Sequence, residues 1–327
     1  MKKFGTIIGL GYCLPDNIVN NNDLEKMVDT SDQWIRERTG ILRRRILDRE
    51  KPSSDMGIEA SLKAIKNSGI EASEIDLVIV STESPDYLTP SMACIIQGGI
   101  DAVNAAAFDL NAACSGFVYA LTVADQFIQT GMYKNILVVA CEGLSKVVDW
   151  KDRNTCVLFG DGAGACVLTA SDEPGILGYD IGADGKKYKN ITIPCTHFSE
   201  EELFKRKNKR DQVIYMEGRE VFKFAVNAMT DSVNKLLREQ DLSIEDIDWI
   251  IPHQANMRII NNSVSKMNFP IEKVIITLDE YGNTSSASIP IALAEAYDSG
   301  KIKSGQKIIL VGFGGGLTWA STLIQWI

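Results

Sequence analysis

The chain has 327 residues, 45% of them hydrophobic, which suffices for a large buried core in two domains or one duplicated domain. Its formal net charge of −9, with no dominant stripe of Lys and Arg, argues against a nucleic-acid partner. Seven cysteines without a Cys-x-x-Cys pair argue against a zinc site and favour reduced thiols in a cytoplasmic protein.

The start of the chain is predicted to be a strand rather than a secretion signal. The apolar patch from Ile7 to Leu14 contains two glycines, ends at Pro15 and lacks an Ala-x-Ala-like cleavage site. Residues 4–13 therefore predict a first strand. No apolar run reaches the length needed to span a bilayer, so no membrane association is expected.

The rest of the first half alternates helices with apolar strands. In chain order we predict a short helix capped by Asn22 or Asp23, a polar segment at 29–40, a helix at about 54–68 ended by Gly69, and strands at 77–82, 136–141 and 163–169. Continuous apolar strands of this kind are typical of a sheet that is covered on both faces.

Residues 108–121 form an apolar strand, a turn of small residues and the start of a buried helix, which places Cys114 at the helix N-terminus. The unpaired amides and the positive dipole end of a helix stabilise an anion there. The pattern therefore predicts that Cys114 readily forms a thiolate, with small neighbours that leave room for a substrate. The alternative is a buried cysteine that only packs.

The second half begins with a predicted helix at about 219–239 and then repeats the order of the first half. The apolar run that begins at Ile136 has its counterpart at Ile308, 172 positions later. The segments 74–79 and 246–251 match at the same offset.

Two matches at one offset indicate a duplicated α/β unit. We predict similar halves at residues 1–172 and 173–327, each with a mostly parallel sheet and right-handed crossovers.

Ligand sites in parallel α/β sheets lie beyond the carboxyl ends of the strands. Cys114 follows a strand in the first half, His253 follows Trp249–Pro252, and Asn283 follows a predicted strand at 274–278. We expect these side chains to converge where the halves meet. Taken singly, His253 could be a core histidine and Asn283 a turn residue. The other histidine, His197, stands in a polar loop and is the weaker candidate.

A thiol, an imidazole and a carboxamide together suit acyl transfer, because the thiolate can hold an acyl group while the other two stabilise a developing oxyanion. The glycine run at 312–317 offers backbone amides for the same purpose. A papain-like protease is disfavoured since its Cys-Gly-x-Cys-Trp pattern is missing. The glycines at 160–165 do not match a dinucleotide-binding fingerprint.

Six motifs, in order along the whole chain, closely resemble those of the β-ketoacyl-acyl-carrier-protein synthase III family. They are Val28-Asp-Thr-Ser-Asp-Gln-Trp-Ile, Asn111-Ala-Ala-Cys-Ser-Gly-Phe, Phe159-Gly-Asp-Gly-Ala-Gly-Ala, Pro252-His-Gln-Ala-Asn, Tyr281-Gly-Asn-Thr-Ser and Phe313-Gly-Gly-Gly-Leu-Thr-Trp. The resemblance implies a thiolase fold, with two α/β halves stacked as a five-layer αβαβα sandwich, and a homodimer.

The resemblance also implies a mechanism without a metal or redox cofactor. Cys114 would take an acyl group from acyl-CoA, and malonyl-acyl-carrier-protein would then bind. His253 and Asn283 would hydrogen-bond the malonyl thioester carbonyl during loss of CO₂, after which the carbanion attacks the acyl-enzyme. The backbone amides of Cys114 and Gly315 would form the oxyanion hole, and Thr89 and Phe313 would border the acyl pocket.

Family contacts to coenzyme A and to the carrier protein map onto further positions. The implied coenzyme A contacts are Thr30, Trp34, Arg38, Arg153, Phe222 and Asn256, and Trp34 and Arg153 would hold the adenine between them. Lys223 and Arg258 would form a basic patch that receives the acidic acyl carrier protein. Surface packing and salt bridging are the alternative roles for these side chains.

Two features depart from the family pattern. Thr89 stands where some members have a phenylalanine that closes the acyl pocket from across the dimer, so longer or branched primers are expected to fit. The charged stretch 195–211, read as an exposed loop, is longer than usual.

Competing functions stay open at this point. One is a related condensing or acyl-transfer enzyme of secondary metabolism. Thiolase and hydroxymethylglutaryl-CoA synthase are disfavoured, since a second catalytic Cys or a Glu would be expected in place of Asn283. A catalytically silent binding protein is the alternative from another class.

Overall fold

The computed structural model describes residues 3–194 and 213–327 of the chain. The predicted charged loop 195–211, with His197, lies outside these residues. The strands are β1 (Phe4–Cys13), β2 (Ile18–Asn20), β3 (Arg43–Arg45), β4 (Leu77–Ser81), β5 (Ala106–Leu110), β6 (Asn135–Glu142), β7 (Gly162–Ser171), β8 (Ile176–Ala183), β9 (Ile191–Thr192), β10 (Tyr215–Met216), β11 (Trp249–Pro252), β12 (Lys307–Gly314) and β13 (Thr318–Gln325). The helices are α1 (Asn21–Glu25), α2 (Asp32–Thr39), α3 (Ser54–Ser68), α4 (Met92–Gly99), α5 (Gly116–Gln129), α6 (Gly218–Glu239), α7 (Met257–Lys266), α8 (Leu278–Tyr281) and α9 (Ser288–Asp298).

Two sheets form the frame of the molecule. One has five strands in the order β1-β7-β6-β4-β5, and the other has four in the order β11-β12-β13-β8. Successive residues of a strand point to opposite faces of a sheet, and here both faces are apolar. In the first sheet Ile79 and Val138 pack towards α5, while Val78 and Val139 pack towards α3.

The central helices α5 and α9 lie between the two sheets and share one hydrophobic core with both of them. Helices α3 and α4 cover the outer face of the first sheet, and α6 and α7 cover that of the second. The order is therefore helices, sheet, helices, sheet, helices. The predicted five-layer αβαβα sandwich is confirmed.

The prediction that each sheet is mostly parallel holds for the direction of the strands, with one reversed strand in each sheet. In the first sheet β1, β4, β5 and β6 run in the same direction, and β7 is antiparallel to both β1 and β6. In the second sheet β8, β11 and β12 run in the same direction, and β13 is antiparallel to both β8 and β12. The connection 315–317 between β12 and β13 is too short for the crossover that parallel strands need, so the chain reverses.

The offset of 172 residues recurs throughout the secondary structure. Strand β4 begins at 77 and β11 at 249, β6 begins at 135 and β12 at 307, and β1 begins at 4 and β8 at 176. Helix α5 begins at 116 and α9 at 288. The division into halves at residue 172 stays a prediction.

The sequence analysis assigned no secondary structure to one helix, and one predicted strand is not formed. The polar segment 29–40 contains helix α2, which is capped by the Ser31 hydroxyl and ends at Gly40 in the left-handed conformation, with φ of 84°. The strand predicted at 274–278 is reduced to one bridge between Ile250 and Val274. Its backbone groups are bound instead by the side chain of Gln254.

The short helix near residue 22 begins at Asn21 and is capped by Asn20, two residues before the first of the two predicted caps, Asn22 and Asp23. Among the described residues, the cysteines at 13, 94, 114, 141, 156 and 166 are unpaired. Within the same ranges no helix combines the length and the apolar character needed to cross a bilayer.

A test of the packing between β1 and α3 is Gly9→Ala. A Cβ at Gly9 would lie 2.2 Å from the carbonyl oxygen of Ala64, a backbone atom that cannot move aside easily. We expect a loss of about 2 kcal/mol in the free energy of unfolding, measured by urea titration with an unchanged m-value. Gly185→Ala, where a Cβ meets nothing within 4 Å, is the matched control. Equal stability of the Gly9 variant and the wild type would contradict this packing.

Candidate active site

The three predicted catalytic residues line one cavity of about 210 Å³ between the halves of the chain. Cys114, His253 and Asn283 all contribute to its wall, and so does the glycine run through Gly314. Cys114 and His253 each lie beyond the carboxyl end of a strand, as the sequence predicted. Asn283 lies in a turn.

Cys114 lies in the 3₁₀ turn Ala113–Ser115, directly before helix α5. The predicted position at a helix N-terminus is confirmed, but the predicted ease of thiolate formation is not. Burial raises the pKa of the Cys114 thiol well above its ordinary value, and the nearby Glu83 and Glu142 carboxyls raise it further. Burial therefore favours the neutral thiol, which must give up its proton when the sulfur reacts.

The turn that carries Cys114 is held by short-range contacts. Ala113 has a positive φ of 48°, and its N–H donates to Asn111 Oδ1 at 3.1 Å. A Cβ added to Gly314 would lie 2.6 Å from the Cys114 nitrogen, so only glycine lets strand β12 approach the turn this closely.

His253 is almost completely buried, at 1% exposure, with its ring edge-to-face against Phe313. Burial lowers the pKa of His253 to about 3, and a hydrogen bond with the backbone of Ser285 offsets this only in part. Its Nδ1 lies 2.8 Å from Ser288 Oγ, which also accepts from the Gln254 N–H. If the serine donates to Nδ1, the neutral ring carries its proton on Nε2.

Asn283 is buried and oriented by its own turn. Its Oδ1 accepts from the Ser285 N–H at 2.9 Å, and its backbone pairs with Phe159. The Asn283 Oδ1 is therefore occupied by a hydrogen bond within the turn. The amide NH₂ is the group that can donate into the cavity.

The sequence analysis missed a polar network behind the cysteine. Ser285 Oγ lies 3.1 Å from Cys114 Sγ and 2.5 Å from Glu83 Oε1, and Glu83 also lines the cavity. Glu142 accepts from the hydroxyls of Ser84 and Ser286 at 2.5 and 2.6 Å. Glu83 follows strand β4 as His253 follows β11, so the rule that located the histidine could have located this carboxyl.

Trp34 stands at the mouth of the cavity between two guanidinium groups. The Arg153 Cζ lies 5.2 Å from the centroid of the Trp34 ring, and the Arg38 Cζ lies 5.9 Å from it. Arg153 also donates to the Asp29 carbonyl at 2.8 Å. The mouth thus presents a flat aromatic surface flanked by positive charge.

Phe222 and Asn256 also line the cavity. The Asn256 side chain caps helix α7 and donates to the Arg38 carbonyl at 3.0 Å, so it has a structural role as well. Arg258 is exposed, 5.9 Å from the Phe222 ring centroid. Lys223 is exposed and paired with Glu220 at 3.1 Å.

Besides Lys223 and Arg258, three predicted site residues do not line the cavity. Thr30 is near the mouth and has a buried Oγ1 with no hydrogen-bond partner among the described residues. Gly315 follows Gly314 in the glycine run, and Thr89 is exposed on the surface of the chain. Phe313, by contrast, lines the cavity. No group of three or more His, Cys, Asp or Glu within residues 3–194 and 213–327 is arranged to hold a metal ion.

Comparisons with known proteins agree over the whole chain. A family model described as 3-oxoacyl-[acyl-carrier-protein (ACP)] synthase III matches residues 108–185, and a model of the C-terminal part of that family matches residues 237–326. The β-ketoacyl-[acyl-carrier-protein] synthase III of Clostridium acetobutylicum is 52% identical over 324 residues, which covers 98% of each chain.

Solved structures give the same result. A 3-oxoacyl-[acyl-carrier-protein] synthase III from Aquifex aeolicus is 44% identical with a TM-score of 0.92, over 98% of this chain and 100% of that one. A priming β-ketosynthase from a polyketide biosynthetic pathway is 34% identical, also with a TM-score of 0.92, over 99% and 97% of the two chains.

The buried carboxyls predict how stability depends on pH. Burial, then the neighbouring Glu83, raises the pKa of Glu142 to about 8. Between the ordinary pKa of about 4.5 and this value the unfolded chain releases a proton that the folded chain retains, so stability falls as pH rises. We expect Glu142→Gln to make the fall in unfolding free energy from pH 5 to pH 8 shallower, measured by urea titration. The exposed Glu50→Gln is the control, and equal slopes in all three proteins would contradict the assignment.

Proposed function

The chain belongs to the 3-oxoacyl-[acyl-carrier-protein] synthase III family, and we propose that Cys114, His253 and Asn283 carry out the two half-reactions of this condensing enzyme. The enzyme is a β-ketoacyl-acyl-carrier-protein synthase III of fatty acid biosynthesis. The observation that supports the residue assignment is the single cavity that joins the thiol, the imidazole and the carboxamide to the mouth at Trp34.

In the first half-reaction Cys114 takes the acyl group of an acyl-CoA. The sulfur attacks the thioester carbonyl carbon, the tetrahedral intermediate collapses, and the bond to the coenzyme A sulfur breaks. The backbone N–H groups of Cys114 and Gly315 stabilise the oxyanion, which develops next to the N-terminus of α5. Coenzyme A leaves as a thiol after it takes up a proton.

In the second half-reaction malonyl-acyl-carrier-protein loses CO₂ and attacks the acyl-enzyme. The His253 ring N–H and the Asn283 amide donate to the malonyl thioester oxygen. This oxygen carries negative charge once CO₂ has left. The carbanion forms a carbon–carbon bond to the acyl carbon and expels the Cys114 sulfur. A histidine with a pKa of about 3 stays neutral at physiological pH, as this donor role requires. No metal or redox cofactor takes part.

Coenzyme A is proposed to bind at the mouth. The residues proposed to contact it are Thr30, Trp34, Arg38, Arg153, Phe222 and Asn256. An adenine between Trp34 and Arg153 needs the two groups about 7 Å apart, twice the contact distance of about 3.5 Å between carbon atoms. Since the ring and the guanidinium are 5.2 Å apart, Arg153 must move outward on binding.

The acyl carrier protein is proposed to dock on Lys223 and Arg258. Both side chains are exposed beside the mouth, and Arg258 stands over Phe222. An acidic carrier would be drawn to this local positive charge although the chain as a whole is acidic.

A homodimer is proposed from the surface near Thr89. Strand β5 is an edge strand with unpaired backbone groups, and the adjacent loop exposes Tyr87 and Leu88 at 61% and 66%. A second copy would cover these groups and bring Thr89 to the acyl pocket of its neighbour. The small side chain would then admit longer or branched primers. The unpaired cysteines support a cytoplasmic location.

A second candidate is the priming step of a secondary-metabolite pathway, favoured by the 34% identity to the polyketide priming enzyme. The higher identity to the Clostridium enzyme favours fatty acid synthesis. Condensation with malonyl-acyl-carrier-protein from the fatty acid pathway separates the two.

The half-reactions are expected to separate in variants. Cys114→Ala should release no coenzyme A from acyl-CoA, because the acceptor is missing. His253→Ala and Asn283→Ala should still release it but lose decarboxylation of malonyl-acyl-carrier-protein by about 10²-fold or more. Thiol release and CO₂ evolution are the two measurements. Retained condensation in Asn283→Ala would remove that residue from the mechanism.

The close approach of strand β12 to the nucleophile predicts the effect of Gly314→Ala. The added Cβ would lie 2.6 Å from the Cys114 nitrogen and displace the turn, so acylation should fall by about 10²-fold. Gly315→Ala, where a Cβ meets Ala113 Cβ at 3.4 Å, keeps its N–H and should retain most activity. Similar losses in both variants would contradict the geometric argument.

A further inference from the structure

A continuous chain of polar atoms leads from the nucleophile to the half-buried carboxyl of Glu83. Ser285 Oγ is 3.1 Å from Cys114 Sγ and 2.5 Å from Glu83 Oε1. The short second distance is typical of a charge-assisted hydrogen bond between a hydroxyl and a carboxylate. Ser285 is fully buried, so these partners take the place of water around its hydroxyl.

The serine is held in position by its backbone. Its φ of 48° is unusual for a residue with a side chain, and its N–H donates to Asn283 Oδ1. Ala113 has the same φ of 48° in the turn that carries Cys114. Two matching turns therefore face each other, and one aims a hydroxyl at the sulfur of the other.

A hydroxyl has one hydrogen and two acceptor positions, so the chain has two arrangements of protons. In one, the Cys114 thiol donates to Ser285 and Ser285 donates to an ionised Glu83. In the other, a protonated Glu83 donates to Ser285 and Ser285 donates to a Cys114 thiolate. The arrangements differ by two short proton shifts and need no movement of heavy atoms.

Acylation requires such an acceptor. Burial raises the pKa of the Cys114 thiol, so the sulfur must lose its proton as it attacks. His253 is a poor acceptor because its pKa is lowered to about 3 and its Nδ1 is occupied by Ser288. The mechanism given above for His253 and Asn283 does not use Glu83 or Ser285.

The surroundings make Glu83 a base of moderate strength. Burial raises the pKa of Glu83, and the hydrogen bond from Ser285 lowers it again in part. The titratable groups that face it are Glu142 from strand β6 and Cys114 from the turn before α5, and His253 shares the cavity. Two carboxyls so close together do not both ionise readily, so the pair retains one proton more easily than two separate carboxyls would.

We propose that Glu83, acting through the Ser285 hydroxyl, accepts the Cys114 proton as the sulfur attacks the acyl donor. The sulfur gains the carbonyl carbon and gives its proton to Ser285, while Ser285 passes its own proton to Glu83. When the tetrahedral intermediate collapses, the proton returns along the same path or from water to the departing coenzyme A thiolate. The identity of the acyl donor rests on the proposed function, whereas the proton path does not.

The test compares pH profiles of Cys114 modification, which a purely structural role would not change in shape. Rates of alkylation by iodoacetamide and of acylation by acyl-CoA are measured by intact-protein mass spectrometry from pH 5 to pH 10. The wild type should show a rise through the Glu83 titration and then a plateau. Glu83→Gln and Ser285→Ala should be about 10²-fold slower at pH 7. The ratio of the wild-type rate to the variant rate should fall about tenfold per pH unit at higher pH, because these variants depend on direct loss of the thiol proton.

Further variants control for indirect effects. The Glu83→Gln, Ser285→Ala double variant should be no slower than either single variant, because both act in one chain. Glu142→Gln, which removes a buried carboxyl that has no bond to Ser285, should keep the rise and the plateau. Thermal midpoints verify folding, and Glu83→Asp, which retains a carboxyl, replaces Glu83→Gln if the latter fails to fold.

Profiles of Glu83→Gln and Ser285→Ala that match the wild type, or that run parallel to it at all pH values, would overturn the proposal. If wild-type alkylation shows the predicted rise but acyl-CoA gives no adduct, the proton path stands and the proposed function fails. If acylation proceeds normally and is unaffected in Glu83→Gln, the proposed function stands and the proton path fails.

Discussion

The structure depends on the packing of two central helices between two sheets. Helices α5 and α9 share one core with both sheets, and almost all of its side chains are fully buried. Because the helices are fixed on both sides, the turns at their N-termini, residues 113–115 and 285–287, contact each other. Cys114 and Ser285 lie on these turns, so the layer packing that stabilises the fold also sets the distance between the thiol and the hydroxyl.

The two turns use one backbone design for different chemistry. Asn111 and Asn283, 172 residues apart, each accept from the N–H two residues later, of Ala113 and Ser285. At the same offset Cys114 corresponds to Ser286. One turn thus presents the nucleophile, and the other presents hydroxyls and an amide that act on it. Burial of this junction explains why the thiol and the Glu142 carboxyl retain protons while the imidazole stays neutral.

The sequence allowed much of this to be predicted. Apolar runs located the central strands and helix α5. The 172-residue repeat indicated that Cys114 and His253 lie beyond the carboxyl ends of strands in two similar halves, where they were expected to converge. Helix α2 was missed because its polar residues conceal it, although Ser31 and Gly40 are its capping signals. The reversal of β7 and β13 was missed because apolar composition does not distinguish parallel from antiparallel neighbours. Neither the raised thiol pKa nor the link through Ser285 could be predicted, since both depend on three-dimensional burial.

The most direct test of the central claim follows the acyl group itself. Intact-protein mass spectrometry after incubation with acetyl-, isobutyryl- and longer acyl-CoAs, followed by malonyl-acyl-carrier-protein, records whether the mass of one acyl group is gained and then lost. The account predicts an adduct on Cys114 that the malonyl donor discharges as a β-ketoacyl product. An adduct that persists after the malonyl donor is added, or an acyl group on another residue, would contradict it.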